Sequence, residues 1–272
     1  MLDSKIITQI EEFVYEKPRS MQEIADLIKK NWRTADRYID EIKENFGTIS
    51  TRIFRGGTRG SLKIVYWSSI EKVSSSIFQE RLEKDIFNSK KKEDFSSFDI
   101  FQYVSDKKKE SFVFDKEIET IPEFKKNLLN SKKQVLFFSG NLSFINFKEI
   151  YEIFEKLIEK NIIIKILCRV DISGKENIEK ILSLNLKSGK SLIEIRHDNN
   201  PIRGVIIDGE LIRLKEEKLS TGKINELNKN KIIIYNIKEK SWVEWLTKIF
   251  WKKFSNSIDA NKRIENLKKI YK

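Results

Sequence analysis

The rhythm of apolar residues changes partway along the chain, and that change constrains the fold more than any single motif. From about residue 122, short apolar runs alternate with amphipathic stretches. Segments 134–139 (QVLFFS), 162–170 (IIIKILCRV) and 192–197 (LIEIRH) read as strands, with helices over 147–160 and 176–185. Near-continuous apolar strands are covered on both faces, so this order predicts a sheet with helices packed against it. Residues 202–207 and 211–214 read as a hairpin around Asp208-Gly209, a strong turn dipeptide. A further strand is expected over 231–237. The helix 241–254 carries Trp242, Trp245, Phe250 and Trp251 and reads as buried all round. The last segment, 255–272, is basic and amphipathic, with Ile258, Ile264, Leu267 and Tyr271.

Before residue 68 the periodicity is different. Residues 5–16 place Ile6, Ile7, Ile10, Phe13 and Val14 on one helical face, and Pro18 stops that helix. Ser20-Met21-Gln22-Glu23 is a capping-box pattern ahead of Ile24, Leu27 and Ile28. Asn31 suits the N-cap of a third helix, 32–46, with Ala35, Ile39 and Ile42 facing inward and Gly47 ending it. Trp32 reads as a core residue bracing that helix. Ile49, Thr51 and Ile53 alternate, as do Leu62, Ile64 and Tyr66, and the tip between them is Arg55-Gly56-Gly57-Thr58-Arg59-Gly60. Three short helices followed by a two-stranded hairpin is the order of a winged helix-turn-helix, expected over 1–68. Residues 69–121 read as a helical connector that joins domains or dimerises. It holds one helix over 69–87 and a short one in DFSSFDIFQYV, capped near Ser97 or Asp99. The expected fold is therefore multidomain α and β: a winged helix-turn-helix, a helical connector, and an α/β domain with a mixed sheet over 122–272.

The 272 residues carry a formal net charge of +12, with 39% hydrophobic and 35% charged residues. That composition belongs to a folded protein, and the excess of Lys and Arg points to a polyanion or an anionic surface as partner or, equally, to a general Lys- and Ile-rich compositional bias. Cys168 is the only cysteine, so an intrachain disulfide and a cysteine-based zinc site are excluded, in keeping with a reducing cytoplasm. The N-terminus lacks the apolar core of a signal peptide, and no apolar run approaches the roughly 18 residues that span a bilayer. No membrane partner, metal or cofactor is expected.

On the third helix, Arg33, Thr34 and Arg37 point away from the apolar face. Arg grips guanine edges or phosphates, and Thr donates to phosphates. Residues 46–63 contain Arg52, Arg55, Arg59 and Lys63 and no acid, where a wing would meet the backbone of double-stranded DNA. Asp36, Asp40 and Glu41 leave open a protein-docking use of the same scaffold.

The segment Pro201-Ile202-Arg203-Gly204-Val205-Ile206-Ile207-Asp208-Gly209 has the outline His-x-Lys-x-x-x-x-Asp, but proline holds the histidine position and arginine the lysine position. Together with VLFFSGN, the helix–strand pair around 147–170 and the aromatic helix 241–254, it resembles the phospholipase D superfamily over about 122–254. In that superfamily the histidine attacks phosphorus and the lysine stabilises the developing charge. Only Asp208 matches residue by residue, and Pro201 can be neither nucleophile nor base. His197, the only histidine, lies four residues upstream. A winged helix, a connector and a degenerate phospholipase D-like domain together resemble the archaeal TrmB family of transcription regulators. That resemblance implies a dimeric, non-catalytic DNA-binding regulator that senses a small effector. Arg203, His197, Asn199, Asn141 and Asp208 are the candidate ligand pocket, for a polar or anionic molecule. Two alternatives stay open: a protein-interaction adaptor in a DNA-processing or defence complex, and a phosphodiesterase or nuclease using His197.

Overall fold

The computed structural model describes residues 4–46, 48–55, 61–68, 75–220 and 227–270. Gly47, the hairpin tip 56–60 with Arg59, residues 69–74 of the expected connecting helix, and Tyr271 lie outside the described residues. Two compact units are present. One comprises Met1–Phe78 with Val113–Asp115 and Glu217–Ile233; the other comprises Gln79–Phe112, Lys116–Glu216 and Ile234–Lys272.

The N-terminal elements are α1 (Ser4–Glu16), β1 (Arg19–Ser20), α2 (Met21–Leu27), α3 (Trp32–Asn45), β2 (Ile49–Arg55) and β3 (Ser61–Trp67). The capping box of α2 is closed at both ends: Glu23 N–H donates to Ser20 Oγ at 3.2 Å, and Ser20 N–H donates to Glu23 Oε2 at 2.7 Å. Asn31 Oδ1 accepts from Thr34 N–H at 2.9 Å, which starts α3. Satisfying these N–H groups is what lets helices this short begin where they do. The three strands form an antiparallel sheet in the order β1-β3-β2. Ile10, Val14, Ile24, Ala35, Ile39, Ile42, Ile49 and Val65 make one core between helices and sheet.

Along the rest of the chain come α4 (Ser75–Asn88), α5 (Phe98–Phe101), β4 (Lys109–Phe114), α6 (Ile121–Leu129), β5 (Gln134–Phe138), α7 (Lys148–Glu159), β6 (Ile163–Cys168) and α8 (Lys175–Ser188). They are followed by β7 (Ile193–His197), β8 (Gly204–Ile207), β9 (Leu211–Lys218), β10 (Lys231–Ile237), α9 (Lys240–Asn256), β11 (Ile258–Asp259) and α10 (Ala260–Ile270). The described strands build an eight-stranded mixed sheet in the order β11-β7-β6-β5-β8-β9-β10-β4. Strands β5, β6 and β7 are parallel, while β8 runs antiparallel to β5. Alternation along β5 sends Val135 and Phe137 into a core with α6, α7, α8 and α10. It sends Phe138 to the other face, where its ring meets Phe250 of α9 at 5.2 Å, edge to face. No described helix is long and apolar enough to cross a membrane.

Four expectations change. Lys109–Phe114, inside the stretch read as a helical connector, is the edge strand β4. Ile202 is buried but outside β8, which begins at Gly204. A Cβ on Gly204 would lie 2.5 Å from the Arg213 carbonyl oxygen, so only glycine lets β9 come this close. Trp242, Trp245 and Phe250 are buried, but Trp251 is 38% exposed, so α9 is not buried all round. The tail read only as basic and amphipathic adds β11 to the sheet edge, pairing Ile258 with His197, and then α10.

Candidate functional site

On the N-terminal unit, Arg33 and Arg37 are exposed on α3, and neither makes an ion pair among the described residues. Each guanidinium rests near an aromatic ring of its neighbour, Arg33 at 6.0 Å from Trp32 and Arg37 at 5.5 Å from Tyr38. Thr34 is half-buried, and its N–H closes the Asn31 cap. Lys63 is taken up within the unit. Its ammonium pairs with Asp36 and, at 3.3 Å, with Asp40, leaving the side chain 17% exposed. It ties β3 to α3 instead of presenting a free charge. Lys63 stands opposite Ile53, whereas Arg52 stands opposite Ile64, so Arg52 belongs to the other face of the hairpin, near Phe54. The Arg55 side chain and all of Arg59 lie outside the described residues.

Trp32, expected in the core, is 36% exposed. The reading along the third helix also passed over Lys29 and Lys30, exposed in the turn between α2 and α3, where Lys29 takes a left-handed φ of 53°. Residues 27–35 hold no acid, so Lys29, Lys30 and Arg33 form an uninterrupted cationic stretch. Its sequence signal was visible, but it lies ahead of the helix and so outside the helical-face argument.

The second candidate site lies beyond the C-terminal ends of the parallel strands β5, β6 and β7, where open α/β sheets hold ligands. Four elements contribute. Gly140 and Asn141 follow β5, Arg169 follows β6, His197 ends β7, and Arg203 precedes β8. A Cβ on Gly140 would lie 3.2 Å from Arg203 Nε and 3.3 Å from Nη2, so the guanidinium lies over a bare backbone. Arg203 Nη1 donates to the carbonyls of Asn200 at 2.8 Å and Ile202 at 2.9 Å, and Arg203 makes no ion pair among the described residues. Burial, and then the like charge of Arg169, lower its pKa. Asn200 is buried, donates to Ser139 O at 3.3 Å, and leaves its Oδ1 without a hydrogen-bond partner. Arg169 is bonded to Gly140 O through its N–H at 2.7 Å and to Asp171 through its guanidinium at 2.6 Å.

His197 lies at the β7 side of this cluster, the side away from Arg203. Val170 N–H donates to His197 Nδ1 at 2.9 Å, so the neutral ring carries its proton on Nε2 and its one free lone pair is occupied. Burial, then the charge of Arg263, hold its pKa below the usual value of 6.5. Strands β7 and β8 stand three positions apart in the sheet, about 14 Å. Next to His197, the Lys253 ammonium lies 3.2 Å from Asp198 Oδ2 but out of hydrogen-bonding alignment, so that contact is an ion pair only. Asn199 is exposed, and Asn141 turns its Oδ1 to the N–H of Ser143 at 3.3 Å. Cys168 is buried, which, followed by the charges of Asp171 and Asp198, pushes its pKa up to about 12. Such a thiol is chemically inert.

Asp208 does not belong to this cluster. It sits at the far end of β8 from Arg203, roughly 16 Å along an extended chain. Its φ of 54° and that of Gly209, 69°, are both left-handed and make the turn that Glu210 N–H closes by donating to Ile207 O at 2.9 Å, so three residues, Asp208–Glu210, join β8 to β9. Its carboxylate accepts from the N–H groups of Lys132 at 2.8 Å, Lys133 at 2.8 Å and Gln134 at 2.9 Å. The aspartate therefore fixes the start of β5 beside the turn. The local dipeptide predicted the turn; the three long-range bonds had no local signal.

No protein-family model matches the chain, and no curated protein matches it by sequence. Several solved structures show loose likenesses, among them the following. Nuc of Salmonella typhimurium, a phospholipase D family member, gives a TM-score of 0.41 at 10% identity, over 56% of this chain and 97% of that one. NucT from Helicobacter pylori gives 0.38 at 11% identity, over 56% and 99%. TrmBL2, described as an archaeal chromatin protein with a novel mode of DNA binding, gives 0.39 at 14% identity, over 94% of this chain and 93% of that one. At these TM-scores the likenesses assign neither a family nor an activity to this chain.

Proposed function

We propose that the chain is a DNA-binding transcription regulator. In this reading residues 1–68 form a winged helix on duplex DNA, and the α/β body works by binding, not by phosphodiester chemistry. The observation that carries it is the cationic stretch leading into α3: residues 27–35 hold no acid, Lys29, Lys30, Arg33 and, further along, Arg37 are exposed, and neither arginine makes an ion pair among the described residues. Unpaired surface arginines on the third of three short helices, ahead of a hairpin, are placed as phosphate and base-edge contacts are placed in helix-turn-helix proteins. Lys63 supports the arrangement by tying the hairpin to α3.

The non-catalytic reading of the body rests on Pro201 in the nucleophile's place and on the occupied Nδ1 of His197. A polar or anionic effector is the proposed ligand of the Arg203 crevice, with Asn200 and Arg169 now beside it in place of Asp208. The regulator is proposed to act as a homodimer reading paired half-sites. In vitro selection from a randomised duplex pool tests the proposal. The expected product is a recurring sequence with half-sites about one helical turn apart. Recovery of no duplex above background would overturn it.

A further inference from the structure

The exposed face of α3 carries one large apolar side chain, Trp32, directly beside Arg33. At 36% exposure Trp32 packs part of its ring and leaves the rest open to solvent. Here α3 packs through Ala35, Ile39 and Ile42, and these leave Trp32 outside the core. Arg33 follows it and Lys30 lies two residues before it, and Lys29 and Arg37 extend the cationic strip on either side. A protein partner of acidic character and a nucleic acid both suit that charge. Nucleic acid is favoured because Arg33 and Arg37 are free, while the carboxylates Asp36 and Asp40 of the same helix are drawn off by Lys63. Glu41 and Glu44 lie toward the C-terminal end of α3, so its first turn, with Trp32 and Arg33, is the part without acid.

Resting on the DNA-binding reading above, we infer that Trp32 is a specificity-determining residue that makes an apolar contact with a thymine C5-methyl group in the major groove. The first turn of a recognition helix is the part that reaches base edges, and the thymine methyl is the one apolar feature exposed there. Arg33 and Arg37 hold the phosphates or guanine edges alongside, and the tryptophan adds sequence preference that charge alone does not give.

The test uses the full chain and the duplex recovered by selection. Each thymine is replaced in turn by uracil, which removes only the methyl group. For the wild type, one replacement should weaken binding about fourfold, the effect of one buried methyl-sized group. Trp32→Ala should bind the thymine duplex more weakly and lose the thymine–uracil difference, while Trp32→Phe keeps part of it. Because part of the Trp32 ring packs, Trp32→Phe is the folding control: it keeps most of that packing and should unfold near the wild-type denaturant midpoint while losing part of the thymine–uracil difference, which separates a lost contact from a lost fold. Unchanged selectivity in Trp32→Ala overturns the inference and leaves the DNA-binding reading standing. So does a loss on Trp32→Ala that appears only with single-stranded DNA, which would mark base stacking. A wild type that recovers no duplex at all overturns the DNA-binding reading itself.

Discussion

Replacing Asp208 by alanine should destabilise the α/β unit by about 2–3 kcal/mol. The number comes from the contacts of one carboxylate. Its bonds to the Lys132 and Lys133 N–H groups are solvent-exposed, so water replaces much of what is lost, whereas the bond to Gln134 is part-buried and its loss is felt more fully. Alanine at a φ of 54° adds about 1 kcal/mol, because its Cβ crowds the following carbonyl in a conformation that aspartate tolerates. Asp208→Asn keeps that tolerance and one acceptor oxygen, so it should cost about half as much. Urea unfolding followed by circular dichroism measures both, and in heating experiments the alanine variant should melt about 5–10 °C lower. An alanine variant as stable as wild type, or an asparagine variant worse than alanine, would refute the assignment of Asp208 as a fastener between the hairpin turn and the start of β5.

Two further outcomes follow from the same geometry. His197 is neutral in the fold, with its pKa held below 6.5, while the unfolded chain has an ordinary imidazole. As pH falls through 6.5 the unfolded state takes up the proton first, so this contribution is intact above 6.5 and is lost on acidification. His197→Gln, in the only histidine of the chain, should flatten stability against pH between neutrality and the carboxylate range; an unchanged profile contradicts the buried neutral imidazole. Gly204→Ala should lower stability by roughly 3 kcal/mol or prevent folding, since the added methyl meets backbone at Arg213 and cannot be relieved by a rotamer change; a denaturation midpoint equal to wild type would contradict that register.

What was legible in the sequence was local or periodic. The Ser20–Glu23 capping box, the Asn31 cap and the Asp208-Gly209 turn each need only a few adjacent residues, and all three formed where expected. The parallel strands β5 and β6 announced themselves by near-continuous apolar runs, whereas β7 alternates, with Ile193 and Ile195 buried and Glu194 and Arg196 half-buried. Strands β1 and β11 are two residues long, too short to show alternation, and each exists only because a longer strand lies beside it. Strand β4 is a half-exposed edge with a lysine cluster at its start, so its pattern is blurred by solvent.

The candidate sites divided along the same line. Arg203 and Asp208 are five positions apart and looked like partners, but an intervening extended strand carries them to opposite ends of the sheet. Lys63 and Trp32 exchanged roles for a tertiary reason: two acids one helical turn apart, Asp36 and Asp40, capture the lysine, while the core of α3 closes without the tryptophan.

In the proposed function, the cationic face of α3 meets the phosphates and bases of duplex DNA. The most direct measurement of that contact is the slope of log affinity against log salt for duplex DNA, compared between wild type and the Arg33→Ala/Arg37→Ala double variant. If both arginines meet phosphates, the slope should become shallower by about 1.8 per protomer, with weaker binding at every salt concentration. A wild-type slope near zero, or a double variant with the wild-type slope and affinity, would contradict the claim.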